Sequence, residues 1–283
     1  MSLKFSIIIP TYNRQQDLTR CLQRVYLGIN DPSECEIIVS DDGHDLKLES
    51  HLSNLFPKVI YQKGPQRGPA ANRNSAASMA SGRWIIFLDD DCIPDQDLVP
   101  SYSTAINEYP NSLLFEGRIY TADSRYSLAD FSPVNETGGY LWACNFCIQA
   151  ELFKSLGGFD ETFPHPAMED VDLCYRLKQK GIYPQFIWKA AVCHPWRPIG
   201  NIRTLLNQQS AALIYLRLHP EERARMTPGF YFRHALRNFV NNTLRDSLRL
   251  RFRGIHKALL EHCIHIFTGL RIMISNFESK SSK

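Results

Sequence analysis

Three consecutive aspartates, Asp89-Asp90-Asp91, follow the unbroken apolar run Trp84–Leu88. On an extended backbone successive side chains alternate, so Asp89 and Asp91 would share one face and Asp90 the other. Two carboxylates on one face can serve a hard divalent cation and a sugar hydroxyl. Mg2+ and Mn2+ favour such oxygen ligands and are often completed by substrate phosphates. A solvated acidic turn is the plainer alternative. A second carboxylate pair, Glu169-Asp170, opens the stretch EDVDLCYRL after the Pro-rich loop Phe163–Met168. Negative charge at a helix N-terminus is favourable by about 0.3–1 kcal/mol, so capping alone would account for the pair; a carboxylate there is also free to face a cleft. Asp172 and Arg176 form a structural i,i+4 pair on the same helix.

His194 ends the apolar run KAAVCH. It is either structural or, facing an acidic site, a metal ligand through a neutral imidazole nitrogen. Arg73, in RGPAANRN, either pairs with the phosphate or base of a nucleotide or is an ordinary exposed helix arginine. Cys144-Asn145-Phe146-Cys147 has the spacing of a zinc or redox pair, but Cys193-His194 is its one candidate partner. On a strand, a three-residue offset puts the thiols on opposite faces, which suits neither role. The eight cysteines have no framework spacing and read as reduced core thiols of a cytosolic protein.

These residues need a scaffold. Phe5–Ile9, Glu36–Ser40, Val59–Tyr61 and Trp84–Leu88 read as apolar strands, alternating with helical patterns at Arg14–Leu27 and Ala70–Ala80. Continuous apolar strands between helices predict a mostly parallel open α/β sheet covered on both faces. Ligands of such sheets sit beyond the carboxyl ends of the strands, where the chain carries Pro10-Thr11-Tyr12-Asn13, Asp41-Asp42-Gly43 and Asp89-Asp90-Asp91. Further strands are expected at Leu113–Tyr120, Leu141–Ile148, Tyr183–Trp188 and Ala190–Cys193, with a loop at Thr121–Tyr140. After Gly200 the chain reads as helical, broken at Pro220, Pro228 and Gly254, with a disordered tail at 279–283.

The stretches SIIIPTYNR, EIIVSDDG, QRGPAANRNSAASMASGRWIIFLDDD, GGFDE and EDVDLCYRLKQKG occur in one order over residues 4–194. Together they resemble the family-2 glycosyltransferases of the GT-A fold. The resemblance implies a Rossmann-like GT-A domain over residues 1–199 and an inverting, metal-dependent transfer of a sugar from a nucleoside diphosphate sugar, expected to be a UDP-sugar. The acceptor would be a hydroxyl of a saccharide or lipid-linked saccharide in glycan biosynthesis. It further implies that Pro10, Thr11 and Tyr12 line the nucleoside, that Asp42 or Asp41 reads the base, and that Gly68, Arg73 and Asn74 form the segment in which Arg73 contacts the nucleotide. Asp89, with Asp90 beside it, would lie near the ribose or donor sugar, Asp91 and His194 would hold Mn2+ or Mg2+, and Asp170 would be the base. One departure concerns the usual D-D-G-S, which is D-D-G-H here with His44. A catalytically silent nucleotide-sugar-binding protein of the same fold is the alternative. Tyr140, Trp142 and Trp196 are candidates for stacking on sugar rings.

Charge divides the chain. Before residue 200, eighteen Lys and Arg face twenty-four Asp and Glu, a balance of −6; from 200 onward fourteen face five, a balance of +9. The acidic body and the lack of any recognised motif argue against nucleic acid. Residues 200–278 form a basic helical extension in which Leu244, Leu248, Phe252, Ile255 and Leu259 make an apolar stripe flanked by Arg245, Arg249, Arg253 and Lys257. Such a helix suits an anionic membrane surface, or it packs on the catalytic domain or a second subunit as a homodimer. No stretch approaches the ~20 apolar residues that span a membrane, and the first apolar run is too short for a signal peptide. The expected location is cytoplasmic or peripheral on the inner face of the membrane.

Overall fold

The computed structural model describes residues 4–281. Its chain begins with three turns of the same cycle. β1 (Phe5–Thr11) leads into α1 (Gln15–Leu27), β2 (Cys35–Asp41) into α2 (Leu48–Leu55), and β3 (Val59–Lys63) into α3 (Pro69–Ser78). β4 (Trp84–Leu88), the short β5 (Ile93–Pro94), α4 (Leu98–Glu108) and β6 (Leu114–Tyr120) follow. Next come β7 (Asp130–Phe131), β8 (Asn145–Gln149), α5 (Ala150–Ser155), α6 (Glu169–Gln179) and β9 (Gln185–Cys193).

Eight of these strands form one sheet in the order β3-β2-β1-β4-β8-β6-β9-β5. β3, β2, β1 and β4 are parallel neighbours; β8 runs antiparallel to both β4 and β6, β9 is parallel to β6, and β5 is antiparallel to β9. The sheet is thus mostly parallel, and strand alternation sends its side chains into two cores. Ile7, Ile9, Ile37, Val39, Ile86 and Leu88 pack with Leu18, Leu22 and Val25 of α1 on one face. Ile8, Ile38, Ile85 and Phe87 pack with Ala70 and Ala76 of α3 and with Leu173 and Leu177 of α6 on the other. A continuous apolar run is what a doubly covered strand demands. On the second face the Phe87 ring lies 4.9 Å from Phe146, 5.1 Å from Phe153 and 5.3 Å from Phe159, which anchors the Gly157-Gly158-Phe159-Asp160 turn beneath α6.

Two expected strands differ. β8 starts at Asn145 rather than at 141, because Leu141 takes φ 46° and its N–H turns to the Glu116 carboxylate at 3.1 Å. Cys144 therefore precedes the strand, and Cys144 and Cys147 share one core instead of facing opposite ways. The two strands expected at 183–193 are one, β9, whose pairing with β6 shifts register between Gly117 and Arg118.

The chain divides into two compact units: residues 1–122 with 133–195, and residues 123–132 with 196–283. The second therefore takes in 123–132, part of the stretch expected as a catalytic-domain loop, together with the chain from Trp196 onward. In it β10 (Arg197–Pro198) pairs antiparallel with β7. α7 (Ile202–Leu218) is capped by Asn201, whose side chain accepts from Thr204 N at 3.0 Å. α8 (Pro228–Asn238) starts on the Thr227 cap with Pro228 in its first turn, a position where proline is favourable. It runs on through a π-helical segment (Phe239–Leu244) and α9 (Arg245–Ser247), and α10 (Ile255–Ser281) closes the unit. Positive φ at Arg251, Phe252 and Gly254 turns the chain before α10, so the stripe expected over residues 244–259 does not lie on one helix. α10 runs through Ser281; of the tail expected to be disordered, 282 and 283 lie outside the described residues. No helix among the described residues is long and apolar enough to cross a membrane.

Candidate active site

The carboxyl ends of β1, β2 and β4 carry the polar motifs, and α6 and β9 bring in the rest. Asp89, Asp90 and Asp91 are not extended: Cys92 N–H bonds to Asp89 O at 3.2 Å and closes a turn. The alternation expected for a strand is thereby lost. Asp90 and Asp91 converge on one guanidinium nitrogen, Arg14 Nη1, at 3.0 and 2.9 Å, while Asp89 turns to Arg73. Asp90 is 3% exposed and also accepts from Thr11 Oγ1 at 2.7 Å. Burial pushes its carboxyl up to about 6 against the pull of Arg14. Asp90 and Thr11, both expected at the donor, are thus paired with each other beneath the site.

Asp91 faces the last residue of the β9 run. His194 Nε2 lies 3.4 Å from Asp91 Oδ1, and His194 Nδ1 lies 3.0 Å from the Pro195 carbonyl. A carbonyl only accepts, so Nδ1 donates to it and Nε2 is the ring nitrogen turned toward the carboxylate. An imidazole nitrogen beside a carboxylate oxygen is a donor pair of the kind a divalent ion accepts. The spacing is about what two neighbouring ligands of one divalent ion show, with bonds of about 2.1 Å. Cys92 completes a group whose potential ligand atoms lie within 4.8 Å of one another. The contact with Cys144, and then burial, hold its thiol well above the usual range, so Cys92 is a poor ligand for a hard ion. The donors that fit Mn2+ or Mg2+ are Asp91 and His194.

Arg73, from α3, is 5% exposed. Its Nη2 lies 2.6 Å from Asp89 Oδ1 and its Nη1 3.0 Å from Glu169 Oε1. The exposed-arginine alternative is excluded, and the side chain is committed to two carboxylates. Glu169 is raised to about 7 by burial and by Asp170, against the pull of Arg73. Asp170 is raised by burial as well, opposed by Arg73 and by the N–H groups of Val171 and Ala143. Val171 N donates to its Oδ1 at 2.8 Å and Ala143 N to its Oδ2 at 3.4 Å. Met168, just before the pair, holds φ 72° and turns the chain into α6. Asp172 and Arg176 pair as expected at 2.8 Å, and Arg176 also donates to the Leu156 and Gly158 carbonyls.

At the end of β2, Asp41 is 1% exposed and accepts from Gly43 N, Tyr61 Oη and Lys63 Nζ at 2.7, 3.1 and 2.9 Å. Asp42 accepts from Gln66 N at 2.8 Å; burial raises its carboxyl, opposed by the N–H groups of Gln66 and Gly68. Pro10 is buried in β1, and Tyr12 is 56% exposed with its ring edge-on to His44 at 6.0 Å. Gly68 caps α3 at φ 99°, and a Cβ there would overlap the Pro164 carbonyl. Asn74 donates to Phe159 O at 2.8 Å and accepts from Phe159 N at 2.9 Å, so it ties α3 to the glycine turn.

Arg14, Glu169 as a partner of Arg73, and Glu116 were missed. Glu116 is 2% exposed, and its carboxylate accepts from Asn135 Nδ2 and from the N–H groups of Gly139, Tyr140 and Leu141. It thereby fixes the loop that leads to Trp142 and Ala143, with the Tyr140 and Trp142 rings stacked 6.1 Å apart. A lone acid inside an apolar strand was the one signal for it.

Comparison with known proteins agrees with this frame. Residues 6–142 match the model of the family described as Glycosyl transferase family 2. The chain is 28% identical over 219 residues to a validoxylamine A glucosyltransferase of Streptomyces hygroscopicus subsp. limoneus, covering 62% of this chain and 48% of that one. It is 30% identical over 159 residues to the GalNAc(5)-diNAcBac-PP-undecaprenol beta-1,3-glucosyltransferase of Campylobacter jejuni, covering 48% and 50%. The chain thus spans about half the length of these relatives. The crystal structure of S. aureus TarS 1-349 in complex with UDP-GlcNAc superimposes with a TM-score of 0.58 at 18% identity, over 76% of this chain and 67% of that one; at that identity the likeness speaks for the fold alone. Sheet order, motif positions and the family match together make this chain the bearer of a glycosyl transferase family 2 domain built on the GT-A fold.

Proposed function

We propose that the chain is an inverting, metal-dependent glycosyltransferase that moves a sugar from a UDP-sugar to a hydroxyl of a saccharide or lipid-linked saccharide. The observation that carries the reading is the Arg73 guanidinium, which joins Asp89 at the end of β4 to Glu169, the neighbour of Asp170. It draws the carboxylate proposed for the donor and the immediate neighbour of the proposed base to a single charge. Asp91 and His194 complete the same edge. Asp42 remains the candidate for reading the base, since Asp41 is engaged by Gly43 N and by Tyr61 and Lys63 of β3.

Asp91 and His194 would hold Mn2+ or Mg2+, which when bound offsets the negative charge of the leaving diphosphate. The chain's own part is proton transfer and placement. As the acceptor oxygen bonds to the anomeric carbon and the carbon–oxygen bond to the diphosphate breaks, Asp170 takes the hydroxyl proton, worth about 10²–10⁴-fold in rate. Its raised carboxyl is a stronger base than an exposed aspartate. Ala143 N–H and the Arg73–Glu169 pair hold it in place. One displacement inverts the anomeric centre, so no enzyme nucleophile is needed.

A panel of nucleotide sugars with Mn2+, scored by released nucleoside diphosphate, tests the proposal. Turnover is expected with at least one donor, and Asp170→Asn should retain donor binding but lose transfer by about 10²-fold or more. Donor binding without release across the panel would establish a silent binder, and full turnover in Asp170→Asn would remove it as base.

A further inference from the structure

The second unit carries a surface whose two halves fit one partner. From α8 through the π-helical segment into the turn after α9, Leu236, Val240, Leu244 and Leu248 are 64, 45, 60 and 80% exposed. They recur every four residues. In a pure α-helix each such step overshoots a full turn by about 40°, so four residues would wind away from one line. The wider π-helical turn at residues 239–244 takes back part of that drift and keeps the row straight. On the core side of that row Tyr231, Ala235, Thr243 and Ser247 are buried. On its other flank, about 100° round the helix, stand Arg233, Arg237, Arg245 and Arg249, all exposed, with Asn241 between the two pairs. The one acid among them, Asp246, is 8% exposed and lies 3.5 Å from Arg245 and 3.2 Å from Arg249.

We propose that this paired row is a docking surface for an anionic phospholipid membrane. Leucines left in water with four exposed arginines along their flank match an interface where acyl chains lie under negative headgroups. The +9 balance of residues 200–283 is the long-range counterpart of that match. The same charge disfavours a second copy of the chain as occupant, because a two-fold contact would set arginine row near arginine row.

Co-sedimentation of the full chain with vesicles tests the surface, and needs neither donor nor catalysis. Binding is expected to vesicles of phosphatidylcholine mixed with phosphatidylglycerol, not to phosphatidylcholine alone, and should fall at least tenfold on raising salt. Arg245→Ala with Arg249→Ala should weaken it about 25-fold, at about fivefold per arginine. Leu244→Ser with Leu248→Ser should abolish it with an unchanged circular dichroism spectrum. No binding to the mixed vesicles at low salt overturns the proposal, as does equal binding to phosphatidylcholine alone. A lipid-free dimer that the leucine variant dissolves would assign the face to a second copy and overturn it too. Should the leucine variant fail to fold, the lipid and salt dependence of the unaltered chain still decides.

Discussion

Replacing Arg73 by Met keeps most of the side-chain volume and removes the charge that holds Asp89 and Glu169. Arg73 is 5% exposed, with partners at 2.6 and 3.0 Å. Breaking a buried pair by deleting one partner costs about 3–5 kcal/mol, because the other charge is stranded. Asp89 is better solvated than Glu169, its side chain 29% exposed against 5%, so most of the penalty falls on Glu169. That gives the loss a definite pH dependence. Glu169 is raised from 4.5 to about 7 by burial and Asp170 even with Arg73 pulling it down; without Arg73 it rises further. A raised carboxyl stabilises the fold fully below the unfolded value and loses that contribution as pH climbs through the folded one. Wild type and variant should therefore both lose stability from about 4.5 to about 7. Above that the wild type levels off, whereas the variant goes on losing about 1.4 kcal/mol per pH unit. Urea unfolding of both proteins at a series of pH values measures the gap. It should widen by about 2 kcal/mol between about pH 7 and about pH 8.5. Parallel stability curves across that interval would refute the claim that Arg73 offsets the Glu169 charge.

Three further outcomes are expected. Asp91→Ala or His194→Ala should weaken Mn2+ binding, read by paramagnetic resonance of the free ion, by about tenfold or more, and with it metal-dependent UDP binding. Gly68→Ala should lower the melting temperature by several degrees, since φ 99° costs a residue with a Cβ about 1–2 kcal/mol and that Cβ meets the Pro164 carbonyl. Glu116→Gln should cost about 2–3 kcal/mol and raise hydrogen exchange at the amides of Gly139, Tyr140 and Leu141, which the carboxylate now holds; unchanged protection would show that the loop is fixed by something else.

The parallel half of the sheet was legible because its strands obey a local rule. Ile7, Ile8 and Ile9 alternate between two cores, and a strand covered on both sides has to be apolar throughout. The carboxylates were legible as residue types but not as geometry. Nothing in Asp89-Asp90-Asp91 announces that Cys92 closes a turn there, or that Asp90 faces inward to Thr11 while Asp89 swings to Arg73. The pairing of Arg73 with Glu169 spans 96 positions, and side-chain chemistry alone did not single out that partner. The C-x-x-C and the stripe at 244–259 were misjudged for one shared reason. Both readings assumed regular backbone, whereas Leu141, Arg251 and Phe252 adopt positive φ without being glycine, a choice that tertiary contacts impose and local propensity opposes.

The same long spans have a kinetic side. Thr11 meets Asp90 across 79 positions, Arg14 meets Asp91 across 77, and Arg73 meets Glu169 across 96. Each bond can form only after a long loop of chain has closed, and that entropy is spent before any reward arrives. The pairing of β1 with β4, Ile8 against Phe87, closes the same span as the first two of these bonds. A nascent or refolding chain that has paired β1 with β4 thus has Thr11 beside Asp90 and Arg14 beside Asp91, but it still lacks the Arg73–Glu169 pair, which waits for α6 and completes the ring of charges last.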